Sequence, residues 1–214
     1  MKTQLPLQYP VGIEDLFISF IDAEDGQDTL AELPTYEEEV FEQTNIVQIG
    51  IAGNNSTYDK WASNKLVISI SRNTKYTLTF DLAGLSIMVR DRMQGILREK
   101  GVNFETGDAK DFPKFAVGIV APLNDGTKIA RWYPRCKLTP ADETYQTLTE
   151  EMDIPDQQYV IEALPLLSNG VTKVDFWDGD DSNKESKVTI EQFMNQVIAD
   201  KTKLDELTKE EPNP

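Results

Sequence analysis

Residues 115–138, FAVGIVAPLNDGTKIARWYPRCKL, decide the fold class because they read as two strands joined by a tight turn. Phe115 to Ala121 and Lys128 to Leu138 are rich in the β-branched and aromatic residues that strands favour. Between them, Asp125-Gly126 supplies the positive φ that a tight turn requires. The segment therefore predicts an antiparallel hairpin whose return strand carries two aromatic residues.

Apolar patterns upstream predict further strands. Ile46 to Ala52 reads as a strand, and the polar stretch from Gly53 to Asn64 reads as a loop. Leu66 to Phe80 alternates apolar and polar residues around Arg72-Asn73-Thr74, which predicts a hairpin turning at those three residues. Trp61 falls in the predicted loop, and an exposed loop tryptophan suggests a contact site.

The remaining strand signals lie at both ends of the chain. The second half of the apolar run 13–21 is interpreted as a strand, and Glu143 to Met152, Tyr159 to Leu164 and Val171 to Trp177 are three more. Residues 22–45 are acidic and irregular, with Glu37, Glu38 and Glu39 in succession, so we expect a long surface excursion there. The total is seven or eight strands and two helices.

Two segments change to helical periodicity. Leu85 to Lys100 places apolar residues on one stripe and ends before Gly101, so it predicts one amphipathic helix. The helix after position 188 has the sharper start, because Thr189 and Gln192 form a capping box. Val188 and Phe193 occupy the two positions of a hydrophobic staple around that box.

Composition limits the classes of function. The chain has 214 residues and no histidine, and its net charge of −16 opposes binding to phosphate backbones. No Gly/Ser or Pro linker divides the middle, so we expect a single domain with its core at about 10–180, followed by a helix and tail at 188–214. The lone Cys136 allows no disulfide within the chain, and the N-terminus has no unbroken apolar run, so folding in a reducing cytosol is expected.

No motif predicts catalysis, and we expect neither an enzyme nor a cofactor. Histidine, the usual general base and commonest zinc ligand, is missing. The acidic stretch 175–183 fails as an EF-hand, because Asn183 stands where the loop needs glycine and Thr189 where it needs glutamate. Arg135 and Lys137 could lower the pKa of the Cys136 thiol, although a packed, inert strand thiol is the default interpretation.

The order of these features resembles the major tail proteins of siphophages, the tail-tube subunits. The resemblance rests on the strands at 66–80, the helix at 85–100, the Asp-Gly hairpin with its return strand 130–138, and the strands 143–151 and 159–164. It covers roughly residues 10–180 and includes no catalytic motif. It implies an α+β, mainly β fold: an antiparallel β-sandwich or barrel flanked by one helix, with a C-terminal helix added.

The resemblance also implies a function in the virion tail, after assembly in the host cytoplasm. Six copies would close into a ring, and stacked rings would form a tube through which DNA passes without specific binding. Partners would be other copies, the tape-measure protein, and the tail terminator and distal tail proteins; no membrane is involved. An acidic bore would repel the DNA phosphates over about 8 Å at physiological salt.

Acidic and aromatic residues in the sequence are candidates for these surfaces. Glu143, Glu150, Glu151 and Asp153 are candidates for the lining of the bore, and Trp61 with Glu37, Glu38 and Glu39 are candidates for subunit contacts. Two other classes remain open. A carbohydrate- or calcium-binding β-sandwich of a virion or adhesin would expose Trp61, Trp132 or Trp177 as a stacking platform. A carboxylate-based enzyme would need a pair of acids that sequence spacing does not identify.

Overall fold

The structure is a computed structural model, and it describes residues 7–22, 27–105, 111–139, 156–183 and 187–208. Within these ranges the fold consists of eight strands and three short helices. The strands are β1 (Asp15–Ile21), β2 (Tyr36–Gln43), β3 (Ile46–Ala62), β4 (Lys65–Leu82), β5 (Phe115–Pro122), β6 (Lys128–Thr139), β7 (Gln157–Ala163) and β8 (Val174–Trp177). The helices are α1 (Ile87–Gln94), α2 (Ile190–Met194) and α3 (Lys201–Leu207).

All eight strands belong to one antiparallel sheet. Its order is β2-β1-β5-β6-β7-β4-β3, and β8 pairs with β6 off this path. Phe41 of β2 and Ile49 of β3 both pack against one apolar cluster, although their strands lie at opposite ends of the order. The sheet therefore curls around that cluster. The predicted α+β, mainly β class is confirmed, and the sheet does not close into a barrel.

The β5–β6 hairpin forms as its sequence predicts. Val120 pairs with Ala130, and Gly126 at the turn has a φ of 87°. Alternate residues of β5 face two different cores: Phe115, Val117 and Ile119 join the cluster inside the curl, while Ala116 and Val120 join a second cluster on the opposite face. The hairpin is therefore the wall shared by both cores.

Helix α1 is shorter than the predicted segment from Leu85 to Lys100. Its C-cap is Gly95, which adopts the left-handed conformation with a φ of 62°. Glycine reaches that conformation without the steric cost that a β-carbon brings, so it ends the helix two turns after it begins. Val89 and Met93 bury their side chains in the inner cluster. Met88, expected on the apolar stripe, is exposed instead.

The C-terminal segment forms two helices where one was predicted. The capping box is confirmed: Thr189 Oγ1 accepts from the Gln192 amide at 3.1 Å, and Gln192 Oε1 accepts from the Thr189 amide at 3.0 Å. Helix α2 ends at Met194, and Asp200 caps a separate helix by accepting from the Lys203 amide. The apolar residues of this segment pack on the outer face of the sheet. None of the helices in the described ranges is long and apolar enough to cross a membrane.

The predicted excursion at 22–45 contains a regular strand. Tyr36–Gln43 forms β2, in which Phe41 pairs with Ile18 of β1. The glutamates in this strand gave a loop-like composition, but Val40 and Phe41 contact the cores on the two sides of the sheet. The expectation of an irregular surface segment was therefore wrong over these eight residues.

Candidate assembly surface

The hairpin of β3 and β4 projects beyond the rest of the sheet. β4 pairs with β7 only from Tyr76 onward, while β3 and β4 stay paired out to Ala62 and Lys65. We call residues 53–74 the arm. Two predictions fail here: 53–64 is mainly strand, and 72–74 lies inside β4. The turn instead falls at Ser63-Asn64, whose φ values of 50° and 60° match a two-residue type I′ hairpin.

One face of the arm is polar and internally hydrogen bonded. The hydroxyls of Thr57 and Ser71 lie 3.0 Å apart across the strands. Next to them, Ser69 Oγ donates to the Asp59 carboxylate at 2.6 Å. These cross-strand bonds hold the two strands together where no other strand of the described chain pairs with them. The polar residues that led to the prediction of a loop therefore form one face of a two-stranded antiparallel ribbon.

The other face of the arm is mainly apolar and is solvent exposed. Tyr58 pairs with Ile70, and Lys60 pairs with Ile68, so these four side chains share a face. Tyr58, Ile68 and Ile70 are all exposed. Exposed apolar side chains grouped on one face in this way are typical of an interaction site.

The tip of the arm carries the most exposed tryptophan. Trp61 pairs with Leu66 next to the turn and has 64% of its surface exposed. By contrast, Trp132 is fully buried, and Trp177 is partly buried with its Nε1 donating to Thr127 Oγ1 at 3.0 Å. Trp61 was a candidate for subunit contact, and it is the tryptophan placed to touch a partner.

The arm differs in charge from the chain as a whole. It has three basic side chains, Lys60, Lys65 and Arg72, against the single acidic side chain of Asp59. The whole protein has a net charge of −16. A positively charged, apolar projection on a strongly acidic protein is electrostatically suited to an acidic partner.

The opposite end of the sheet is acidic. Of the three glutamates proposed as contacts, Glu38 and Glu39 are exposed on β2. Glu37 is half-buried and accepts from Arg92 at 2.5 Å, while the Arg92 guanidinium lies 3.9 Å from the ring centre of Phe20. Glu37 therefore fixes β2 to α1, and its two neighbours are the ones available to a partner.

The sheet has two unlike edges. Within the described residues β2 pairs only with β1, and β3 pairs only with β4, so each has one side without a strand neighbour. An unpaired edge presents backbone donors and acceptors that can pair with another chain. One edge is acidic, and the other bears the basic arm.

An apolar cavity of about 450 Å³ lies on the inner face of the sheet, next to the inner cluster. Its walls come from the N-terminal segment, β3, β5 and β6, and include Pro10, Ile13, Val47, Ile51, Ile119 and Ala121. Gln48 and Arg131 add polar groups, and Arg131 forms an ion pair with Asp175. The cavity is thus mainly hydrophobic.

Carboxylates cluster on the face of the sheet opposite to this cavity. Asp15 pairs with Val120 of the outer cluster, and its pKa is raised by partial burial and by the negative charges of Glu42 and Glu14. Lys128 reduces this repulsion only in part, through its 2.6 Å ion pair with Glu14. This acidic group therefore lies on the outer face, whereas the cavity residues Ile13, Ile49 and Ile119 belong to the inner cluster.

The structure also bears on the candidate thiol and on metal binding. Cys136 is fully buried, and burial raises its pKa, so the idea that Arg135 and Lys137 activate the thiol is wrong. Alternate residues of a strand point to opposite faces, which separates Cys136 from both neighbours. Among the described residues no group of three or more acidic or cysteine side chains is arranged to hold a metal. Glu143, Glu150, Glu151 and Asp153 lie outside the described residues.

Comparison with known proteins gives no assignment. No model of a protein family matches the chain, and no curated protein matches it significantly.

Proposed function

We propose that this chain is a structural virion protein that self-assembles into stacked rings, forming the tube of a siphophage tail through which DNA passes. The observation that carries the proposal is the open sheet with two unlike edges, neither of which has a second strand partner among the described residues. One edge is acidic, and the other bears a basic, apolar arm. The resemblance of the strand order to major tail proteins implies six copies in each ring. It also implies the partners: the tape-measure protein, the tail terminator and the distal tail proteins.

Unlike edges favour ring formation. When an acidic edge of one copy meets the arm-bearing edge of the next, the two contacting surfaces differ, so the interface is head to tail. Such an interface leaves one acidic edge and one arm-bearing edge free at the two ends, so further copies can add. The assembly closes into a ring where the rotation between copies permits it. Pairing the β2 and β3 edges also removes the exposed backbone groups that lead to uncontrolled aggregation.

Charge supports the passage of DNA. A ring built from copies with a net charge of −16 each presents carboxylates to its surroundings, and those facing the bore repel phosphates. The repulsion decays over about 8 Å at physiological salt, so it keeps DNA from adhering to the wall without driving its movement.

Electron microscopy of the concentrated protein tests this function. We expect rings or tubes with a central channel in negative stain, together with sedimentation that shifts to larger species as concentration rises. A protein that stays monomeric at all concentrations, or an assembly whose centre is basic or occluded, contradicts the proposal.

Reversing the charge of two glutamates on β2 tests the role of the acidic edge in assembly. We expect E38K/E39K to raise the concentration needed for assembly, because it places positive charge on the edge that meets the basic arm. E191K/D205K makes the same change in net charge at exposed helix positions away from both edges, and it should assemble like the wild type. Equal effects of the two pairs would show that net charge, and not the β2 edge, controls assembly.

A further inference from the structure

We propose that the arm tip of one copy inserts Trp61 into the apolar cavity between the N-terminal segment, β3 and β5 of a second copy. This inference rests on the proposed self-assembly and assigns its anchor. Both halves of the contact are on the same chain: an exposed indole at the tip and a mainly apolar cavity of about 450 Å³. Cavities of this size accept small ligands in mainly apolar surroundings, and tryptophan is one of the residues enriched among the energetic anchors of protein interfaces.

A second copy is the occupant because the arm cannot reach its own cavity. Ile51, on the cavity wall, and Trp61 are ten positions apart on the same extended strand. At about 3.3 Å per residue, the tip lies roughly 33 Å from the cavity of its own chain. The strand between them is held in a continuous ladder with β4, so the tip does not fold back.

Charge favours a second copy as the chain that receives the tip. Lys60 and Lys65 flank Trp61 on the two strands, and the receiving chain has a net charge of −16. The indole enters the apolar interior, where the charged lining residue Arg131 is already paired with Asp175. Leu66, which pairs with Trp61, brings a second apolar side chain to the same point.

Disulfide trapping between copies tests this contact. A62C places a thiol beside Trp61, and V47C places one on the exposed cavity wall; the native Cys136 is buried and does not compete. When the two single variants are mixed under mild oxidation, we expect a covalent heterodimer, since a disulfide needs the two β-carbons within about 4.5 Å. V102C, exposed at a similar level to Val47 but outside the cavity lining, is the matched control and should not crosslink to A62C.

Removing the indole of Trp61 should slow the formation of the disulfide between copies. Adding W61A to A62C should slow heterodimer formation with V47C at least about 30-fold, the effect of losing an interface anchor. F104A removes another exposed aromatic, distant in sequence from the arm, and should leave the rate unchanged. Trp61 lies at an exposed tip, so its loss should not unfold the protein.

The outcomes separate this inference from the proposed function. Wild-type rings or tubes without A62C–V47C crosslinks, or crosslinks that W61A does not slow, overturn the inference and leave the proposed function standing. Crosslinks in a protein that forms no ring or tube support the contact and contradict the tail-tube function. As a second measurement, the fluorescence of Trp61, taken as wild type minus W61F, should shift to shorter wavelength as assembly buries the indole.

Discussion

The indole Nε1 of Trp132 donates a 3.0 Å hydrogen bond to the main-chain carbonyl of Phe193. Trp132 is in the central strand β6, and Phe193 is in helix α2, 61 residues later. The Phe193 ring also stacks on Phe176 of β8 with centres 5.0 Å apart. One buried side chain thus fixes the C-terminal segment to the outer face of the sheet.

Replacing Trp132 with phenylalanine should destabilise the protein by about 2–4 kcal/mol. The change leaves the Phe193 carbonyl without its donor and opens a cavity in a fully buried site. Urea unfolding monitored by circular dichroism measures the loss. W61F is the matched control, and its effect should stay within about 0.5 kcal/mol because Trp61 is exposed.

Gly118 should not tolerate a methyl group. A β-carbon there would lie 2.4 Å from Met194 Cε and 2.9 Å from Trp132 Cζ3. The methionine end can move, but the indole is held by its hydrogen bond to Phe193, so G118A should cost about 1–3 kcal/mol. G84A adds the same methyl at a position where no atom of the described residues lies within 4 Å. Equal unfolding midpoints for the two variants would contradict this account of the packing.

The parts of the fold that sequence predicted correctly have local causes. The β5–β6 hairpin follows from Asp125-Gly126 between two apolar strands, and the start of α2 follows from the Thr189–Gln192 capping box. In both cases the residues that specify the structure are neighbours in sequence. The end of α1 was missed because Gly95 was interpreted as an interior residue, although its left-handed conformation ends the helix.

The arm and the cavity were not predictable in the same way. No core forms beneath the arm within the described residues. Polar Thr57, Ser69 and Ser71 on one face therefore removed the apolar alternation that signals a strand. Trp61 was correctly singled out as exposed, but as a loop residue. The cavity brings together Pro10, Val47 and Ile119 through the curl of the sheet, and no local pattern in the sequence encodes that curl.

Cys136 should be inert in the folded protein. It is fully buried, and burial raises its pKa well above the ordinary range, so almost no thiolate forms at neutral pH. We expect its reaction with a small disulfide reagent at pH 8 to be at least about a thousand-fold slower in buffer than in denaturant, because reaction needs unfolding. The exposed thiol of A62C is the positive control. Rapid labelling of wild-type Cys136 would contradict its place in the inner core.

Glu162 should make stability depend on pH. Its carboxylate on β7 binds Lys75 of β4 and Lys137 of β6, the latter at 2.9 Å, so it joins three adjacent strands. Hydrogen bonds from Lys75 and then Lys137 lower its pKa below the ordinary value of 4.5. The folded state therefore binds this proton more weakly than the unfolded state does. The resulting stabilisation is complete above about pH 5 and is lost as the pH falls through the lowered pKa.

E162Q removes this contribution while keeping the shape of the side chain. We expect it to reduce stability by about 1 kcal/mol at pH 7, as for a partly exposed ion-pair network, with the gap to wild type closing as the pH falls from 5 toward 3. Urea unfolding at several pH values measures both quantities. E32Q changes an exposed glutamate and should show no such closing gap. A gap that stays constant down to pH 3 would show that the loss comes from packing and not from the charge of Glu162.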